Sequence, residues 1–302
     1  MNLLLTGAFN YTIEQIKSIE DLGFNVFFMQ YEKEELPCSA ETIDAVVGNG
    51  LFLYHKIEDF TNLKFIQLTS AGFDRVPMGY VKSHGIKIFN ARGVYSIPMS
   101  EWAICKVLDI YKKTESFRQN QNNCEWNKQR DLREINGKMV GVLGAGNIGQ
   151  EVAKRFSAFG AQVMGFDVHQ FEHPYFNEIR FISEFDQYLP YLDIVILTLP
   201  LLDSTRHLVS FERLQLMKKN SILVNISRGP IIDEHALIKS LMKGKPGYVA
   251  LDVFEEEPLL TESPLWNMPN VCVSPHNSFV SDGNSDRMFN VIYVNLQNYT
   301  RE

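Results

Sequence analysis

The chain has 302 residues, enough for two domains with full cores, and its 45% apolar and 22% charged content describe an ordinary water-soluble globular protein. A net charge of −7 leaves no electrostatic footprint for nucleic acid or an anionic membrane, so a small anionic substrate must be caught by a local cation. The four cysteines (Cys38, Cys105, Cys124, Cys272) are scattered without a C-x-x-C pair, which argues against a zinc site or a disulfide framework and fits a reducing, cytoplasmic compartment. The opening MNLLLTGAFN is too short an apolar run for a signal peptide, and no run reaches transmembrane length.

Residues 1 to about 95 read as a first α/β unit. Residues 3–5 form a strand, 12–22 an amphipathic helix with Ile13, Ile16 and Ile19 inward, and 24–29 a second strand. Short strands follow at 44–47, 64–68 and 86–89, and this alternation predicts a parallel sheet covered on both faces. Two turns, 68–74 (LTSAGFD) and 91–96 (ARGVYS), put small residues directly after strands. They are either ordinary glycine-punctuated turns or places where backbone N–H groups face a ligand.

Residues 100–111 predict a helix with Ser100 as N-cap, just after Pro98, crossing from the first domain to the second. Residues 112–136 are polar with a lone Trp126. They read either as a solvated helix and loop or as a dimer arm anchored by that aromatic.

Residues 138–167 then read strand, glycine turn, helix, strand. The apolar run 139–143 is followed by G-x-G-x-x-G at Gly144, Gly146 and Gly149, with Asn147 and Ile148 in the first helical turn. Gly144 permits the tight turn, Gly146 lets a pyrophosphate approach the backbone, and Gly149 lets the helix pack on the sheet. Free N–H groups at the helix start hold phosphate charge. Gly160 stops the helix, and the strand 162–166 ends at Asp167, where a carboxylate takes the ribose hydroxyls of an adenosine. The charge of Asp167 favours NAD over NADP, with His169 close behind as the residue that weakens the preference.

The alternation continues with strands at 193–199, 221–226, 248–253 and 271–273, and helices closing at 214–217 and spanning 233–242 with Asp233 as N-cap. The strand ends present Arg228, the Asp252 segment and His276. A last helix at 286–300 is expected to pack back on the first domain. The expected architecture is therefore two doubly wound parallel-sheet domains, a flavodoxin-like substrate domain and a Rossmann NAD-binding domain, with a cleft between them. The boundaries are 1–97 with 281–302 for the first and 98–280 for the second.

Three groups make chemical sense together. Arg228 is a planar cation able to hold a carboxylate by two bonds. His276 is the side-chain type suited to proton exchange near neutrality. A glutamate from the run 255–257 would sit by it, and an ionised carboxylate beside an imidazole favours the charged, proton-donating ring. Singly, each has a bland reading: a surface ion pair, a satisfied turn histidine, a solvated charge run. With a nicotinamide nearby they add up to hydride and proton transfer across a C–O bond next to a carboxylate.

From about residue 65 to 280 the chain resembles the D-isomer-specific 2-hydroxyacid dehydrogenases. The matching segments are LTSAGFD at 68–74, the helix with Glu101, GVLGAGNIGQEVAKR at 141–155, LTLPLLDSTRHLV at 197–209, LVNISRGPIIDE at 223–234, ALDVFEEEPL at 250–259 and SPHNS at 274–278. The resemblance implies that Arg228, Glu257 and His276 are the catalytic trio, and it picks Glu257 from the glutamate run. It implies that Ala71 and Gly72 offer amides to the substrate carboxylate, that Asp252 contacts the nicotinamide carboxamide, and that Pro200, Thr205 and Ser227 line the cofactor. It also implies a homodimer formed through the coenzyme domain. Two departures concern the substrate: Asn277-Ser278 follows the histidine, and Ala91-Arg92-Gly93 replaces the usual proline-containing turn. Arg92 would either favour a larger or phosphorylated acid or face solvent.

The expected activity is NAD(H)-dependent, reversible reduction of a 2-keto acid to a D-2-hydroxy acid, with no metal. The rival from another class is an NADH-sensing, corepressor-like binding protein on the same fold. A nearer rival is a formate or phosphite dehydrogenase, and Glu257, where formate enzymes pair the histidine with glutamine, argues against the formate branch.

Overall fold

The structure, a computed structural model, describes residues 1–301. The chain divides into two compact units, Met1–Tyr95 together with the segment from Ser281 onward, and Ser96–Val280.

In the first unit β1 (Asn2–Thr6), β2 (Asn25–Met29), β3 (Ala45–Gly48), β4 (Phe65–Leu68) and β5 (Lys87–Phe89) form a parallel sheet in the order β2-β1-β3-β4-β5. Helix α1 (Ile13–Glu20) links β1 to β2, and α2 (Met78–Ser83) links β4 to β5. Successive residues of a strand face opposite sides, so one sheet feeds two cores. Leu3, Leu5, Ala45 and Val47 face one core with Ile19; Leu4, Val46, Ile66 and Leu68 face the other with Val81. The C-terminal helix (Asn284–Arg301) completes the first core with Met288, Ile292 and Leu296, and Asn295 Nδ2 donates to Gln67 Oε1 at 2.7 Å. Each such fully enclosed aliphatic side chain contributes about 2 kcal/mol.

Helix α1 starts at a capping box. Thr12 Oγ1 accepts from Gln15 N at 3.2 Å and Gln15 Oε1 from Thr12 N at 3.0 Å. Ile19 is fully enclosed and Ile16 packs beside it, but Ile13, expected inward, is 83% exposed. Steps of three residues lag a helical turn by about 60° each, so Ile13 points about 120° away from Ile19.

The second unit begins with α3 (Ser96–Lys112) and α4 (Thr114–Asn122). There follow β6 (Met139–Leu143), α5 (Asn147–Ala158), β7 (Gln162–Asp167), β8 (Glu178–Phe181), α6 (Phe185–Tyr188) and β9 (Ile194–Leu197). The chain then runs through α7 (Phe211–Leu216), β10 (Ile222–Asn225), α8 (Glu234–Leu241), β11 (Tyr248–Leu251) and β12 (Val271–Val273). The strands form a parallel sheet in the order β12-β11-β10-β9-β6-β7-β8, with the connection reversing direction between β6 and β9. Val140, Val142, Ile194, Ile196, Leu223 and Val224 are fully enclosed, as the strands of a doubly covered sheet should be.

The start of one helix moves. Helix α3 starts at Ser96, so Ser100 is not its N-cap but a fully buried residue inside it, donating to Ile97 O at 2.7 Å. Pro98 lies in the first turn, where a missing N–H costs no helical bond. The 112–136 segment contains α4, and Trp126 beyond it is 92% exposed. Among the described residues no helix is long and apolar enough to cross a membrane.

Candidate active site

All strands of the second unit point the same way, so their carboxyl ends gather the side chains that the resemblance singles out. The glycine loop leaves β6 at Gly144, whose φ of +95° suits only glycine, and Thr198 Oγ1 donates to Gly144 O at 2.7 Å. A Cβ on Gly149 would drive into the Gly144 carbonyl, so α5 packs on the loop only with glycine there. Gly146, the N-cap of α5, is exposed, and a Cβ on it would meet nothing within 4 Å. The open space over Gly146, beside the half-buried Asn147 and Ile148, fits a pyrophosphate on the helix N-terminus. Asp167 ends β7 with Oδ2 accepting from Ala145 N and Oδ1 from Val168 N, both at 2.7 Å. Its carboxylate is thereby fixed against the glycine loop.

These contacts separate two variants. Gly149→Ala should lower Tm by several degrees, since overpacking of this kind costs about 1–3 kcal/mol. Gly146→Ala should leave Tm unchanged yet weaken NADH at least tenfold in a fluorescence titration. Unchanged NADH affinity in Gly146→Ala would remove the pyrophosphate from this loop.

His276 sits on a turn after β12 with φ +48°, a left-handed conformation for a non-glycine residue. The turn is held by Asp252, which is fully buried. Asp252 accepts from Ser274 Oγ, from Asn277 N at 2.8 Å and from Ser278 N at 2.9 Å, while its main-chain oxygen accepts from His276 N at 2.7 Å. On this support the ring is half-buried, with Nδ1 2.8 Å from Glu257 Oε2. Glu257 Oε1 accepts from Phe254 N at 3.1 Å, so the carboxylate is itself anchored. A carboxylate only accepts, so Nδ1 carries the hydrogen and Nε2 is left for other partners. The neighbouring Glu255 pairs instead with His207 Nε2 at 2.6 Å.

Arg228 follows β10. Its Nη1 donates to Ser227 O at 2.8 Å, and its main-chain oxygen accepts from Asn225 Nδ2 at 3.0 Å. Asn225 and Ser227 are buried, Asn225 Oδ1 accepting from Ser227 Oγ at 2.6 Å. A Cβ on Gly229 would strike the Phe254 carbonyl, so the Arg228 turn and the turn leading to Glu257 are in close contact. Pro200, exposed, and Thr205, buried, belong to the turn after β9, where Thr205 Oγ1 donates to Pro200 O at 2.7 Å. Asn225 and Ser274 were missed in the sequence; the signal was a polar residue closing or following an otherwise apolar strand.

Ala71 and Gly72 lie in the first unit, after β4. Their carbonyls accept from Asn90 Nδ2 at 2.6 Å and Ser70 Oγ at 3.0 Å, and Ser70 O accepts from Ala91 N at 2.9 Å. Among the described residues neither amide N–H donates to a protein acceptor. Arg92 is exposed.

The family described as D-isomer specific 2-hydroxyacid dehydrogenase, NAD binding domain, matches residues 104–278. A hydroxypyruvate reductase of Thermotoga maritima is 34% identical over 250 residues, 81% of this chain and 81% of that protein. A D-3-phosphoglycerate dehydrogenase of Methanocaldococcus jannaschii is 33% identical over 273 residues, 87% of this chain, which spans 51% of that longer protein. Among solved structures, a D-isomer specific 2-hydroxyacid dehydrogenase family protein from Aeromonas salmonicida subsp. salmonicida superposes with a TM-score of 0.83 at 25% identity, covering 99% of this chain and 95% of that one. The chain belongs to the D-isomer specific 2-hydroxyacid dehydrogenase family. Its second unit carries the family's NAD(P)-binding domain, and the proteins it resembles are oxidoreductases.

Proposed function

We propose that the protein catalyses reversible reduction of a 2-keto acid to a D-2-hydroxy acid, with NADH preferred to NADPH. The observation that carries this is the His276 Nδ1–Glu257 pair at 2.8 Å on a turn clamped by buried Asp252. Gly144, Gly146, Asn147, Ile148 and Gly149 would hold the pyrophosphate, and Asp167 the adenosine ribose. Pro200, Thr205 and Ser227 would line the cofactor, with Asp252 toward the carboxamide. The charge of Asp167 opposes a 2′-phosphate, which supports the NADH preference. Bound nicotinamide supplies the hydride.

The rest is done by side chains and amides of this chain. Arg228 grips the substrate carboxylate and polarises the carbonyl, with the Ala71 and Gly72 amides as further donors. His276 Nε2 gives a proton to the carbonyl oxygen. Glu257 orients the ring through Nδ1 and balances its positive charge. A homodimer formed through the second unit accords with the 92% exposure of Trp126.

The relatives are named for both a phosphorylated and an unphosphorylated three-carbon acid, so the substrate is settled by turnover. NADH consumption is measured with glyoxylate, hydroxypyruvate, pyruvate, and branched and aromatic 2-keto acids, with NADPH in parallel. Turnover of at least one acid, slower with NADPH, is expected. Tight NADH binding with no turnover of any acid would reject the reductase and favour a nucleotide-sensing protein.

A further inference from the structure

We propose that Glu32 closes the ligand end of the first unit to anionic substrate tails, restricting the protein to 2-keto acids whose far end is uncharged. This rests on the reductase reading above. In the order β2-β1-β3-β4-β5 the connection reverses between β1 and β3, and the carboxyl ends at such a reversal open a crevice where ligands bind. Three donors converge there: the successive amides of Asn49 and Gly50 just past β3, and the Thr6 hydroxyl ending β1. Successive amides turned to one point make a concave anion site.

The chain fills that site itself. Glu32, in the loop after β2, accepts through Oε1 from Asn49 N at 2.6 Å and Thr6 Oγ1 at 2.8 Å, and through Oε2 from Gly50 N at 2.7 Å. Its main-chain oxygen is bonded to His55 Nε2 at 2.9 Å. A Cβ on Gly48 would come 2.7 Å from Glu32 Oε1, so the carboxylate seats fully only against glycine. This is a built carboxylate site, and the reductase mechanism makes no use of it.

Its neighbour is the loop assigned to the substrate carboxylate. Thr69 N donates to Gly48 O at 2.9 Å, so the turn holding Ala71 and Gly72 starts beside the Glu32 loop. Arg75, further along that turn, brings its Cδ 3.8 Å from the Cβ position of Gly50. A phosphate on the substrate tail would find the amides taken and a half-buried negative charge in its place. Arg75 and Arg92 on the flanking turns are exposed, where water and salt screen them. A hydroxyl or hydrogen at the same place meets no such opposition.

Hydroxypyruvate and its 3-phosphate differ only at that end. The wild-type protein is expected to use the phosphate ester with kcat/KM at least a hundredfold lower. Glu32→Gln, which keeps the shape without the charge, and Glu32→Ala should each narrow the gap tenfold or more. Equal use of both acids by the wild type, or an unchanged gap in both variants, overturns the proposal. A second arm needs no turnover: millimolar inorganic phosphate should raise the Tm of Glu32→Ala and not that of the wild type, and no rise in the variant also overturns the proposal. A wild type that reduces no keto acid would fail the reductase reading, while the phosphate arm still decides whether Glu32 occupies an anion site.

Discussion

Replacing His276 with alanine should lower kcat for 2-keto acid reduction about a thousandfold, within the range of about 10²–10⁴ that positioned acid–base groups supply. Bonded through Nδ1 to Glu257, the ring has Nε2 as its remaining donor for the carbonyl oxygen. Removing it leaves no side chain at that position to supply the proton. The backbone adds a complication, because His276 has φ +48°. Alanine in that region is strained by about 1–2 kcal/mol, whereas asparagine tolerates it through its short polar side chain. His276→Asn is therefore the companion variant: it should keep the wild-type Tm more nearly than His276→Ala and lose kcat to the same extent. NADH affinity, read by fluorescence, should stay within threefold in both. Turnover within tenfold of wild type in His276→Asn would show that another group delivers the proton.

What could be read in advance followed from how local the physics is. The run 139–143, the glycine loop and the Asp167 strand end are consecutive in the chain and unambiguous in period, and β6, α5 and β7 match them. Strand β8, Glu178–Phe181, escaped because an edge strand of EIRF carries no apolar run to mark it. Ser100 looked like a cap because it precedes an apolar helix, yet the helix had begun earlier and the hydroxyl turned back to Ile97 O. The support of His276 was out of reach for a different reason. Asp252 meets the amides of Asn277 and Ser278 only once β11 and β12 are paired, and no pattern around Asp252 announces those partners. The glutamate run shows the same limit. Side by side in the chain, Glu255 turns to His207 and Glu257 to His276; spacing does not separate them, and it took the family resemblance to single out Glu257 ahead of the folded turn.

Arg228→Lys should reduce kcat/KM by about 10²–10³, some 3–4 kcal/mol of transition-state stabilisation. The expectation rests on shape rather than charge. The guanidinium plane is partly fixed by the Nη1 bond to Ser227 O at 2.8 Å, and Ser227 is in turn held by buried Asn225. A guanidinium spreads five N–H donors over a rigid planar fork, a shape matched to a carboxylate. An ammonium concentrates its donors at one atom, reaches less far, and must choose between the main-chain oxygen and the substrate. If the arginine both grips the carboxylate and polarises the carbonyl, KM rises and kcat falls together. If it only grips, KM alone rises. Arg228→Ala should lose at least as much and should recover part of its turnover on addition of guanidinium to the assay, because a free planar cation can enter the vacated space. NADH affinity should stay within threefold in both variants. Values of kcat and KM within threefold of wild type in Arg228→Lys would mean that the carboxylate is held elsewhere, and would shift attention to the Ala71 and Gly72 amides as its principal donors.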